Sequence, residues 1–245
     1  MMHLPKWGGK LKHIVSFSGG KDSTAMLLMM LEKGMPVDDI VCCDTGKEFP
    51  AMYEHWKKVE DYIGRKITIL KAEHSYDYWM FDHVKTKGKR KGERGYGWAN
   101  MLCRWCTKAL KTSVLNNYHK GINDEVKEYV GIAYDERHRC KGKKYPLVDW
   151  QVTEKDALEY CYSKGFDWGG LYKHFDRVSC WCCPLKKMGE LKMLYLHYPD
   201  IWKKLKDMDV KAYNQFKKNY SVEMLEEKFS KECRKVEEFP LFKEE

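Results

Sequence analysis

Apolar positions in this chain fall into short β-prone runs that alternate with longer stretches of helical period. His13, Ile14, Val15, Ser16 and Phe17 form the first run, which stops at Gly19 and Gly20. A helical stretch follows, with Asp22 and Ser23 at its cap positions; it continues through Ala25, Met26, Leu27 and Leu28 and closes at Gly34. Residues 39–43 read as a second buried strand. Pro50 then suits the first turn of a helix carrying Tyr53, Trp56, Val59 and Tyr62 to Gly64, and residues 66–70 read as a third strand. A short aromatic helix is expected over 75–84, a longer one from Cys103 to about His119, a strand over 125–132 and a capped helix over 153–164. Strands alternating with helices of this length predict an α/β fold built on a doubly wound, mostly parallel sheet. Beyond residue 184 only amphipathic helical patterns remain, so the chain divides into an α/β domain (1–184) and a helical C-terminal appendage (185–245). The highly charged end, 228–245, is expected to fray.

Ligands of such sheets sit beyond the carboxyl ends of the strands. Two polar turns fall there: Ser18-Gly19-Gly20-Lys21-Asp22-Ser23 after the first strand, and Asp44-Thr45-Gly46 after the second. A strand, a glycine turn and a helix N-terminus together offer free N–H groups and the positive end of a helix dipole to an anion. Lys21 adds a full charge. The turn is not a Walker A loop, whose earlier glycine would have to stand where Val15 does.

The first turn resembles the SGGxDS pyrophosphate loop of the PP-loop ATP pyrophosphatases. The second, followed by Phe49-Pro50, is similar to the DTG-x-x-F-P element of the phosphoadenosine phosphosulfate (PAPS) reductase family within that superfamily. That family includes the ATP-using subunit of bacterial sulfate adenylyltransferase and DNA phosphorothioation enzymes. Gly131 to Arg139 resembles the family's G-x-R-x-D-E-x-x-R element, with Ala133 in place of Arg, so one anion contact is missing or falls to Arg137 or Arg139. Tyr145-Pro146-Leu147 through Trp150 resembles its closing segment, and the resemblance as a whole spans about residues 12–210. It implies a Rossmann-like, adenine-nucleotide α-hydrolase-like fold. It assigns Ser16, Ser18, Gly19, Gly20, Lys21, Asp22, Ser23, Asp44, Thr45, Gly46, Gly131, Glu136 and Arg139 to the nucleotide, with Lys21, Asp22 and Asp44 catalytic.

Adenylating members cleave ATP between the α- and β-phosphates, with Mg²⁺ bridging phosphate oxygens and Asp22 or Asp44 helping to hold it. Sulfonucleotide reductases instead bind ready-made adenylyl sulfate and carry a nucleophilic Cys in an ECGLH tail. Glu232-Cys233-Arg234-Lys235 keeps only the Glu-Cys of that tail. The implied activity is ATP-dependent adenylation of a substrate in sulfur metabolism or sulfur transfer, nucleic-acid modification included. The alternatives are reduction of adenylyl sulfate (APS or PAPS) with a sulfur donor or thioredoxin-like protein as partner, and non-catalytic binding of nucleotide or nucleic acid.

Cysteine usage and charge extend this picture. The first twelve residues carry no apolar stretch before a cleavage site and no apolar run is long enough for a membrane, so a cytoplasmic chain is expected. Ten cysteines in that compartment read as metal-binding, catalytic or buried thiols. Cys103-x-x-Cys106 and Cys180-x-x-Cys183 supply four thiolates, suited to tetrahedral zinc or an iron–sulfur cluster. Pro184 after the last of them, together with cluster-bearing relatives, favours [4Fe–4S]; Zn²⁺ and unligated thiols stay open, as does Cys182 as a free sulfur-carrying thiol. The net charge of +9 favours anionic partners. Six basic residues lie between Lys85 and Arg94 among glycines, as a mobile solvated loop or as a lid over an anionic substrate or nucleic-acid backbone. A homo-oligomer is compatible with all of this.

Overall fold

A computed structural model describes residues 11–178 and 180–238. Strand β1 (Leu11–Ser16), helix α1 (Lys21–Glu32), β2 (Asp39–Asp44), α2 (Pro50–Ile63) and β3 (Thr68–Lys71) follow one another, and the chain then returns through α3 (Trp105–Thr107) and α4 (Ser113–Lys120) to β4 (Glu125–Val130). The four strands are all parallel, in the order β3-β2-β1-β4. The winding therefore reverses beside β1, and the crevice between the ends of β1 and β4 is where such a sheet takes a ligand. Beyond β4 come α5 (Pro146–Asp149), α6 (Glu154–Ser163), α7 (Met188–His197), α8 (Pro199–Lys211) and α9 (Val222–Glu238).

The core explains the order. Ile14 and Val15 in β1 and Ala25, Met26, Leu27 and Met30 in α1 are fully buried, so α1 is an interior helix packed between the sheet and α6. Helix α6 starts on a capping box in which Thr153 and Asp156 satisfy one another's N–H groups. Strand β3, with Thr68 and Lys71 exposed, is a sheet edge.

Four expectations change. Helix α1 is capped by the backbone of Gly20 in extended conformation, not by side chains: Asp22 lies in the first turn, and Ser23 Oγ folds back to donate to Gly20 O (3.1 Å). The short helix expected over 75–84 spans residues 76–82 and finishes as a π-helical turn, Tyr78–Asp82, beside which the rings of His74 and Tyr78 stack and those of Trp79 and His83 meet at a tilt. Cys103 precedes α3 and is exposed, so it does not share a helical face with Cys106. Residues 84–94 form an antiparallel hairpin, with Lys85 N–H donating to Glu93 O (2.9 Å) and Gly92 N–H to Lys85 O (2.8 Å). Helix α9 runs on to Glu238; residues 239–245, like 1–10, lie outside the described part. Among the described residues no helix is long and apolar enough to cross a membrane.

The C-terminal helices dock through one tryptophan. Trp98 packs edge-on against Phe216 (4.9 Å), its Nε1 donates to Asp209 Oδ1 (2.7 Å) and its backbone N–H to Asn214 Oδ1 (2.8 Å). Asp209 Oδ2 accepts from Val222 N–H at the start of α9 (2.7 Å). Asp209→Ala leaves two buried donors unpaired and is expected to cost about 2–4 kcal/mol, measured as a lower urea midpoint.

Candidate nucleotide site and adjoining thiol cleft

The glycine turn is held from behind by aromatic side chains. Gly19 has φ +77, and a Cβ there would lie 2.1 Å from Trp56 Nε1. Its carbonyl accepts from Trp168 Nε1 (2.7 Å), and Trp168 stacks on His55 (4.5 Å). Burial depresses the His55 imidazole to a pKa of about 3, so it is a neutral packing group; its Nε2 shares a hydrogen bond with Thr24 Oγ1 (3.0 Å). Trp168, Gly169 and Gly170 all have positive φ, a strained stretch that brings Trp168 and Tyr172 onto the loop. Tyr172 accepts the N–H of Lys21 (2.7 Å), and Ser23 Oγ accepts that of Ser18 (3.2 Å). The N–H groups of Gly19, Gly20, Asp22 and Ser23 have no acceptor among the described residues. Gly131, at the end of β4, is needed for close approach: a Cβ there would come within 2.6 Å of Ser23 Cα.

Two open spaces adjoin the loop. One, of about 270 Å³, lies at the β1–β4 switch point and is lined by Ser16, Ser18, Ser23, Val41, Cys43 and Gly131 among others. The second, of about 410 Å³, is lined by Ser18, Glu48, Arg104, Arg177, Cys180, Cys183 and Lys186 among others. Ser18 and Lys111 belong to both. Lys111 sits on a π-helical turn, Lys108–Thr112, inserted between α3 and α4. Burial works against its charge, while the Glu48 carboxylate nearby favours it. Helical periodicity gave no sign of Lys111, because a π-helical turn shifts the face that a residue occupies.

Lys21 does not reach into the open space. Its Nζ is buried against Glu154 (2.8 Å) and Asp22 (3.2 Å). Carboxylate oxygens of Asp22, Glu136 and Glu154 lie within 4.8 Å of one another, a hard-oxygen set that fits Mg²⁺. Glu136 also pairs with Arg139 and, at 3.7 Å, with Arg177. Asp44 is engaged elsewhere: it accepts from Gly46 N–H (2.8 Å) and Tyr53 Oη (3.0 Å) and faces Lys71 Nζ (3.3 Å). It thereby shapes the turn whose Thr45 Oγ1 lies 3.3 Å from Cys180 Sγ and whose Lys47 O accepts from Trp181 N–H (3.0 Å). Thr45 thus meets Cys180, Asp44 and Gly46 close the turn behind it, and Ser16, Ser18, Ser23 and Gly131 gather at the switch point.

Cys106, Cys180 and Cys183 converge. Burial and the neighbouring Cys183 raise the Cys106 thiol, while burial and Glu48 push Cys180 up to about 12. These are protonated thiols that need a metal's charge to ionise. Sulfurs about 2.3 Å from a tetrahedral zinc stand about 3.8 Å apart. No three cysteines reach 4.8 Å among the described residues, so this arrangement does not form a closed zinc site. Cys180 and Cys183 border the open cleft, Cys106 lies close to Cys183 and Cys103 stands outside on its exposed loop, a spread that fits a larger cluster better.

A parallel, doubly wound sheet with a glycine-rich loop at its switch point defines a Rossmann-like fold. The chain belongs to the phosphoadenosine phosphosulfate reductase domain family, which it matches over residues 12–186. Relatives include an uncharacterized protein of Methanocaldococcus jannaschii, 30% identical over 78% of this chain and 40% of that protein, and an uncharacterized nin region protein of Escherichia phage lambda, 26% identical over 63% of this chain and 60% of that protein. The chain spans less than two thirds of the length of these relatives. Similar solved structures are a PAPS reductase from Candida auris in a phosphate complex (16% identity, TM-score 0.43, 68% of this chain and 78% of that one) and the U34-tRNA thiolase of Methanococcus maripaludis with its [4Fe–4S] cluster (16% identity, TM-score 0.33, 94% and 68%).

Burial, opposed by Lys21, raises the Asp22 carboxyl from 3.8 to about 6. A carboxyl that holds its proton more tightly folded than unfolded favours the fold at low pH, and that contribution is lost as pH rises from about 4 to about 6. A gap of this size is worth about 3 kcal/mol. Without divalent ions, Asp22→Asn is expected to be the more stable protein at about pH 8, by up to ~3 kcal/mol, with the difference closing near pH 4 in urea unfolding.

Proposed function

We propose that the chain binds an adenine nucleotide at the switch point, with its phosphates on the 18–23 loop, and that it cleaves ATP between the α- and β-phosphates to adenylate an acceptor in sulfur metabolism or sulfur transfer. One observation carries this reading: four unspent N–H donors stand together at the positive end of a buried twelve-residue helix, beside an open cleft. Charge grows on the departing pyrophosphate, and donors already in place stabilise it without reorganising. Lys111, shared by both clefts, adds a cation at the boundary. Mg²⁺ held by Asp22, Glu136 and Glu154 would neutralise further phosphate charge. Lys21, lying among those carboxylates, keeps them together when the ion is away.

The acceptor side is the larger cleft, where Arg104, Lys111, Arg177 and Lys186 surround a space that suits an anion. Cys106, Cys180 and Cys183, joined by Cys103 if its loop closes, are the residues that would hold an iron–sulfur cluster, which supplies a sulfur-binding metal centre when present. A second reading, reduction of adenylyl sulfate by a thiol donor, is favoured by the opening of Cys180 and Cys183 into the same cationic cleft. Cys233 lines neither cleft, which speaks against a C-terminal thiol as the nucleophile.

Incubation with ATP labelled in the α-phosphate is expected to give AMP or an adenylylated product together with pyrophosphate, and Gly19→Ala should reduce this at least a hundredfold while the protein stays folded. Release of sulfite from adenylyl sulfate without ATP would replace this reading with the second. Iron and sulfide analysis after anaerobic purification tests the thiols: Cys180→Ser should lose most of the bound iron, and unchanged iron would remove Cys180 from the ligand set.

A further inference from the structure

The hairpin of residues 84–94 is not used by the nucleotide site, and its six cations divide into two groups. Lys85 and Arg90 are spent on structure. Both pair with Glu93, and both lie over the Tyr213 ring, at 4.6 and 4.1 Å. Tyr213 Oη in turn donates to Tyr96 O (2.6 Å), so the hairpin is clipped to the segment that follows α8. Lys87, Lys89, Lys91 and Arg94 are exposed and have no ion-pair partner among the described residues. Four cations held out by a fixed hairpin, with their one local anion already consumed, form a surface in want of negative charge.

A groove of about 370 Å³ adjoins them, lined by Met80, Phe81, Asp82, Arg94, Lys211 and Tyr213. It sets one cation from the hairpin and one from the end of α8 against aromatic walls, and Asp82 is its single carboxylate. We propose that this face binds single-stranded nucleic acid. A strand carries one phosphate per nucleotide for the row of cations, and it has unpaired bases whose flat faces can cover Phe81; a duplex keeps those faces stacked away. An acidic peptide would answer the cations but leave the aromatic walls uncovered. The segment that follows the hairpin is tied to Trp105, whose Nε1 donates to Gly97 O (3.0 Å). The binding itself does not depend on the adenylation reading.

The test is fluorescence anisotropy of the full chain with a labelled oligothymidylate of about 20 nucleotides, free of ATP and Mg²⁺, across a range of potassium chloride. Four phosphate contacts predict that log K falls against log salt with a slope of about −3. The variant K87Q/K89Q/K91Q/R94Q should bind at least tenfold more weakly with a nearly flat salt dependence, and Lys211→Gln alone should weaken binding a fewfold. Both variants should melt with the parent and keep its ATP affinity. Absence of binding by the parent, undiminished binding by the fourfold variant, or equal binding of a duplex or of polyglutamate overturns the proposal. Because this assay contains no ATP and the pyrophosphate assay contains no nucleic acid, either reading can fail while the other stands.

Discussion

Everything at the candidate site depends on how little room is left around Gly19. Trp56 fills the volume that a side chain would take, Trp168 holds the carbonyl, and Gly131 lets β4 run against the backbone of Ser23. The loop therefore cannot relax into a longer helix that would consume its own N–H groups. Two of its donors are spent on Tyr172 and Ser23, and the remaining four are left to an outside acceptor. An anion binding there meets donors already in place, so little ordering entropy is spent on the loop itself.

The same clamp links the loop to the thiols. The strained turn at Trp168, Gly169 and Gly170 lies a few residues ahead of Cys180, and the turn shaped by Asp44 supports the cysteine segment through Thr45 and Lys47. Charges are sorted along this path. Lys21 is withdrawn among three carboxylates, whereas Lys111 stands between the two open spaces. The loop's own lysine thus lies among the carboxylates, and a half-buried lysine from a distant helical turn borders both open spaces.

Much of this was legible in the sequence. The alternation of strand and helix periods gives the parallel sheet, and the two polar turns fall at strand ends because glycine, serine and aspartate cannot continue a buried strand. Residues Gly19 and Gly131 stand out as glycines next to apolar runs, and the structure gives each a steric reason. Side-chain direction was not legible. Nothing in SGGKDS says that Lys21 turns inward to Glu154, since its partner lies 133 residues away. Lys111 was hidden for a related reason: a π-helical turn has no sequence period of its own. Cys103 does not share a helical face with Cys106, because the helix begins only at Trp105. The hairpin of 84–94 was masked by its composition, because lysine and glycine runs read as solvated loop and the ring that fixes them, Tyr213, lies more than a hundred residues further on.

The departure at Ala133 bears on what the cleft receives. Ala133 is fully buried, Arg139 is taken by Glu136, and Arg137 lies over Tyr134 and donates to its carbonyl. None of these three places adds an open cation at the switch point. The cations that border open space beside the loop are Lys143 at the switch point, Lys111 in both spaces, and Arg104, Arg177 and Lys186 in the cleft that also contains Cys180 and Cys183. The switch-point space and the thiol cleft thus each have cations at their walls, with Lys111 common to both. Because the loop amides depend on backbone packing and the cationic cleft on exchangeable surface side chains, the second can change its ligand without disturbing the first.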